Sequence, residues 1–130
     1  MRVLGILFAC SGLTAVALGA MGAHVLEPQI APPQLKIWEK AVHYQLFHTL
    51  ALGWLLLVQS RTQRPSLWIL AAWLMVAGIV FFSGSLYLLS TRDISGWNPA
   101  WLGPVTPLGG LCWITAWLMM AVAFVKKSIP

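Results

Sequence analysis

The chain has 130 residues, 59% of them hydrophobic and 8% charged, where a soluble domain carries roughly 25% charged residues. The formal net charge of +5 is spread over short gaps between long apolar runs. It is not clustered and interleaved with aromatics in a soluble fold, which argues against a nucleic-acid surface. Four apolar runs, 3–23, 41–58, 67–89 and 105–125, take up most of the chain and leave no room for a soluble catalytic domain.

At 1.5 Å per residue these runs reach roughly 31, 27, 34 and 31 Å as helices, enough to cross a hydrocarbon core of ~30 Å. The chain reads as an all-α membrane protein, one domain built as a four-transmembrane-helix bundle. The first run follows Met1-Arg2 and ends in small residues, as a signal peptide does. Its ~20 apolar residues exceed a signal core, so it is expected to stay as a span. It carries Gly5, Gly12 and Gly19 at seven-residue spacing. In the first loop, Pro32-Pro33 can open a helix, since proline is tolerated in a first turn. From Gln34 the pattern runs without a breaker into the second span, which predicts a helix over about 33–58.

Pro65 suits the first turn of span three and Pro107 that of span four. Span three has Ala71, Gly78 and Ser85 seven apart, and span four has Gly109, Ala116 and Ala123. Small residues at that spacing let backbones approach in a left-handed bundle, either within the chain, the favoured reading, or between copies. The third loop, 90–103, is turn-rich and is expected to cap one end. Trp38, Trp97 and Trp101 are expected in one interfacial girdle and Trp68 in the other. Cys10 and Cys112 differ in depth by roughly 9 Å, too far for a disulfide, and read as small buried hydrophobes.

Arg2, Arg61, Arg64, Lys126 and Lys127 flank one side of the four runs. The other side carries Glu27, Lys36, Glu39, Lys40, Arg92 and Asp93, which balance. The excess of Lys and Arg marks the cytoplasmic side, so both termini are expected in the cytoplasm, with the chain a multi-pass protein of the cell inner (plasma) membrane.

With that orientation, nearly all polar residues within the spans fall in the outer half: His24 after span one, Tyr44, Gln45 and His48 in span two, Ser83, Ser85 and Tyr87 in span three, and Thr106 in span four. Tyr44, Gln45 and His48 share one helix face, while His43 lies about 140° around from His48. Polar groups in hydrocarbon need partners, so these residues are expected to meet in one cluster.

The segments Gly19–His24, Trp38…Ala41…Tyr44-Gln45…His48, Phe82-Ser83-Gly84-Ser85-Leu86-Tyr87 and Gly103-Pro104-Val105-Thr106-Pro107-Leu108-Gly109-Gly110 together resemble the domain-of-unknown-function 423 family. That family comprises small bacterial inner-membrane proteins, with a eukaryotic relative called transmembrane protein 256. The resemblance implies a multi-span membrane protein and brings no activity, cofactor or catalytic residue.

Two functions fit. One is a non-enzymatic structural or accessory protein, a homo-oligomer or a subunit of a larger membrane complex among membrane lipids, locked at one end by the polar cluster. The other is an outer-leaflet binding or transport module for a lipid, quinone or small amphipathic ligand. No cofactor is predicted from the residues, although His24 and His48 at similar depth would permit a haem. Hydrolase chemistry is disfavoured, because Ser83 or Ser85 with His48 lacks a buried acid.

Overall fold

The computed structural model describes residues 2–59, 61 and 65–125, and every regular element among them is helical. In chain order these are α1 (Arg2–Met21), a π-helical turn (Gly22–Leu26), α2 (Pro32–Gln59), α3 (Pro65–Gly78), a second π-helical stretch (Ile79–Ser83), α4 (Gly84–Ser90), α5 (Arg92–Ser95), a 3-10 turn (Ala100–Leu102) and α6 (Val105–Val125). Four helical spans are long and apolar enough to cross a membrane: Arg2–Leu26, Pro32–Gln59, Ser66–Ser90 and Ala100–Val125. The expected bundle is therefore present, with longer spans than the apolar runs alone suggest.

Local chemistry explains the boundaries. α2 and α3 each open on a proline, where the missing N–H would be unbonded in any case. Pro107 lies in the first turn of α6 for the same reason. α5 ends on Gly96 at φ +68, a left-handed conformation that only glycine adopts at no steric cost. α2 begins at Pro32 because Lys36, Glu39 and Lys40 are all good helix formers, so their charge does not interrupt it.

The interior is built on the small-residue seams. Ala71, Ala72 and Met75 of α3 and Trp113, Ala116, Met120 and Ala123 of α6 are all buried in one cluster with Trp68, Leu4, Leu52 and Leu55. The Trp113 indole lies over Gly78, and Gly109 lies against the backbone of Phe82, so neither glycine leaves room for a Cβ. The seven-residue seams of spans three and four are thus intramolecular. α1 runs antiparallel to α2, with Gly53 beside Phe8, Gly12 beside Thr49, Gly19 beside Val42 and Gly22 beside the Trp38 ring. It is the edge helix of the bundle. Only 11% of its most apolar stretch is buried, against 28–33% for the other spans.

Three sequence expectations are corrected. Trp38 and Trp68 are not girdle residues; they are 3% and 1% exposed. Trp38 donates its indole N–H to the Leu18 carbonyl at 2.9 Å and packs with Leu26 and Ile30 in a second core cluster. Cys10 is exposed rather than buried, and both cysteines are free thiols. Trp97 and Trp101 are exposed and meet edge to face at 6.3 Å. The third loop is tied to the start of α2 by Gln34 Nε2 donating to Asp93 Oδ2 at 2.8 Å, which puts the loops after spans one and three at one end. Arg64, Lys126 and Lys127, on which the charge asymmetry partly rests, lie outside the described residues.

Candidate functional site

The polar side chains of the first two spans meet about half-way along both helices. Thr14 is the central residue of Arg2–Leu26, Gly78 is central to Ser66–Ser90, and Gln45 stands at the middle of Pro32–Gln59. The helical turns before Ala41 carry Lys36, Glu39 and Lys40, and Gln45 meets Ser11 and Thr14 of α1, as a polar group within a membrane span must be paired.

Gln45 is buried and its amide is fully used. Its Nε2 donates to the Thr14 hydroxyl at 2.9 Å and to the Ser11 carbonyl at 3.0 Å, while its Oε1 accepts from the Tyr87 phenol at 2.8 Å. Thr14 is left to donate to the Cys10 carbonyl at 2.8 Å. Thr49 donates to the Gln45 carbonyl at 2.7 Å, so in the Ser11–Thr49 contact of 2.6 Å the serine must be the donor. Five side chains from α1, α2 and α4 thus form one clasp in which each donor has an acceptor, the condition under which a buried polar network stabilises. Trp38 closes its upper side, with its ring centroid 4.6 Å from that of Tyr87.

The serines bind elsewhere. Ser83, fully buried inside the π-helical stretch, donates to the Ala41 carbonyl at 2.9 Å and joins the third span to the second. Ser85 donates to the Phe82 carbonyl at 2.9 Å. Its single proton is then spent, so Thr106 donates in the 2.6 Å contact between their hydroxyls and joins spans three and four.

His48 faces a third environment. Its ring lies flat on Trp113, with centroids 3.6 Å apart and planes at 3°, and Tyr44 and Phe47 flank it at 6.0 and 5.3 Å. Nδ1 bonds to the Tyr44 carbonyl at 2.8 Å. A carbonyl only accepts, so Nδ1 carries the proton and Nε2 presents its lone pair. That lone pair faces the Trp117 indole N–H at 3.4 Å, a long contact. A cavity of about 490 Å³ opens beside His43, Tyr44, Phe47 and His48. A second, of about 280 Å³ and wholly apolar, opens beside Ala51, Trp54, Trp117, Met120 and Phe124.

The expected single cluster is therefore divided into four groups. Gln45 and Tyr87 meet in the clasp, Ser83, Ser85 and Thr106 make two separate interhelical bonds, and His48 and Tyr44 line an aromatic gap. His24 joins none of them; it is exposed in the π-helical turn Gly22–Leu26. The pairing of His24 with His48 is therefore not what the fold builds around His48. Sequence reasoning left Ser11, Thr14 and Thr49 out of the expected cluster. The signal available was their depth: the helix predicted from about residue 33 already implied a lower Gln45, level with Ser11 and Thr14. Among the described residues no three His, Cys, Asp or Glu side chains converge as a metal site would require.

Residues 18–110 match the family described as Protein of unknown function (DUF423). The chain is 44% identical over 126 residues to the UPF0382 membrane protein YwdK of Bacillus subtilis (strain 168), an alignment covering 97% of this chain and 98% of the relative. It is 41% identical over 126 residues, with the same coverage, to the UPF0382 membrane protein SAB0533 of Staphylococcus aureus. It is 40% identical over 126 residues to the UPF0382 membrane protein SSP2132 of Staphylococcus saprophyticus, covering 97% and 99% of the two chains. No solved structure matches.

Proposed function

The chain belongs to the DUF423 family, and we propose that it acts as a non-enzymatic structural or accessory protein of the cell inner (plasma) membrane, with both termini in the cytoplasm. The observation that carries this reading is the clasp. Its polar atoms satisfy one another across three helices, as interhelical hydrogen bonds that hold a bundle do, and as a reactive group poised for substrate would not. The cytoplasmic assignment of the termini rests on the excess of Lys and Arg in the gaps on that side. In this role the protein presents a fixed apolar outer surface to lipid and to a further copy or a larger membrane complex.

The test is Gln45→Leu in the full chain. A structural clasp predicts a lower melting temperature in detergent with the complement of co-purifying lipids unchanged. Loss of a co-purifying molecule at unchanged stability would overturn it.

A second reading is favoured by one observation. The gap beside His48 and Tyr44 is open, aromatic and of a size that holds small ligands. In that reading the protein is a binding module for a lipid-soluble molecule, and the clasp serves to keep α2 in place beside the gap.

A further inference from the structure

The loop between the third and fourth spans is folded back on itself. α5 ends on Gly96 in the left-handed conformation. The Ser95 hydroxyl donates to the Arg92 carbonyl and accepts from the Trp97 N–H, both at 3.3 Å. This reversal brings Trp97 and Asn98 back beside Arg92 and Asp93, around an open cavity of about 280 Å³. The cavity stands at a span end, since Arg92 comes two residues after Ser66–Ser90 and Asn98 two residues before Ala100–Val125.

Its lining carries one charge of each sign. Arg92 Nε lies 3.5 Å from Asp93 Oδ1, with both side chains half exposed. That is longer than the roughly 2.7–2.9 Å of a charge-assisted hydrogen bond, and exposed pairs hold weakly. Asp93 spends its other oxygen on Gln34. Among the described residues the terminal nitrogens of Arg92, the Trp97 indole N–H and the Asn98 amide make no hydrogen bond. Ile94, Trp97 and Trp101 are exposed around them. Tryptophans beside charged residues at the end of a span mark the headgroup layer, so phospholipid headgroups are what this cavity meets. Lys36, Lys40 and Arg92 at this end are balanced by Glu27, Glu39 and Asp93, which leaves no net attraction for an anionic lipid. The adjacent guanidinium and carboxylate instead match a headgroup that carries both charges.

We propose that this cavity binds the headgroup of a zwitterionic phospholipid with a primary amine, as in phosphatidylethanolamine. Arg92 donates to the phosphate, where its planar fork suits two oxygens, and Asn98 and the Trp97 indole supply further donors. The ammonium donates to Asp93, whose carboxylate has lone pairs left beyond the bond from Gln34. A choline headgroup has no N–H to give and makes only the phosphate contacts. The site is separate from the gap beside His48 and does not depend on either reading of the protein's role.

The test adds dioleoylphosphatidylethanolamine to the delipidated full-length protein in dodecyl maltoside and reads bound lipid by native mass spectrometry. Saturable binding is expected, tighter than for the dioleoyl phosphatidylcholine or phosphatidylglycerol. Arg92→Gln should weaken the ethanolamine and choline lipids alike by about fivefold, the order of one exposed hydrogen bond. Asp93→Asn, which keeps an oxygen for Gln34, should weaken the ethanolamine lipid alone and remove its advantage over choline. Lys40→Gln, which removes a cation at the same end but outside the cavity, should change nothing. Thermal melts without lipid check that each variant is folded; should either cavity variant not fold, the ranking of the three lipids on the unaltered protein decides. An ethanolamine lipid bound no better than the other two would overturn the headgroup class. Binding that Arg92→Gln leaves unchanged, or that Lys40→Gln weakens equally, would overturn the site. Free phosphoethanolamine bound as tightly as the lipid would overturn the membrane source.

Discussion

The imidazole of His48 and the indole of Trp113 are stacked at 3.6 Å with their planes 3° apart, while the Trp113 N–H donates to the Met75 carbonyl at 3.2 Å. One contact thereby couples α2 to α3 through a residue of α6, although among the described residues no Cα of α2 lies within 8 Å of one of α6. His48→Ala would remove the upper ring, break the tie to Tyr44 and widen the gap. The expected result is a loss of about 2 kcal/mol, read as a lower melting temperature in detergent.

The clasp should be non-additive. Gln45→Leu and Tyr87→Phe each break the Tyr87–Gln45 bond, and Gln45→Leu also frees the Thr14 hydroxyl and the Ser11 carbonyl. Each substitution is expected to cost about 1–2 kcal/mol. The double variant should cost less than the sum. A double-mutant cycle from thermal melts measures the difference, and strict additivity would show that the two residues do not interact.

Glycine to alanine should have opposite effects at two sites. A Cβ at Gly109 would run into the backbone of Phe82, which cannot rotate away, while a Cβ at Gly84 meets nothing within 4 Å. Gly109→Ala is expected to destabilise by about 2–3 kcal/mol through overpacking. Gly84→Ala should leave stability unchanged or raise it by about 0.5–1 kcal/mol, the helix preference of alanine. Comparing the two melts in one detergent checks both.

Orientation is open to direct test. A reporter fused after Pro130 is expected to give a cytoplasmic signal, following the gap charges. A signal from the opposite side would reverse the assignment.

The purified protein is expected to show no Soret band. A haem on His48 would need Nε2, which accepts from Trp117, while Nδ1 is held by the Tyr44 carbonyl. A visible absorption spectrum is sufficient to check this.

The class of fold was legible because length and hydropathy follow directly from crossing ~30 Å of hydrocarbon. Lateral position was less so. In a bilayer the lipid is as apolar as the core, so Trp38 and Trp68 carry no compositional mark of being inside. The helix expected over about 33–58 was legible, since Lys36, Glu39 and Lys40 do not break it, and it runs Pro32–Gln59. The partners of Gln45 required the register of α1 on α2, which pairs Gly12 with Thr49 and Gly19 with Val42. Neither π-helical stretch has a propensity signature. Their side chains, such as Phe82 and Ser83, are ordinary for a membrane helix.

The π-helical stretch Ile79–Ser83 also divides the third span into two separately indexed halves. Below it Met75 and Gly78 meet Trp113; above it Ser85 and Tyr87 meet Thr106 and Gln45. An α-helix turns about 100° per residue, so deleting one residue here would swing every upper side chain by that angle and leave the lower half in register. The chain can therefore absorb insertions and deletions in its loops far more readily than at this point, where the numbering of the sequence is itself part of the structure.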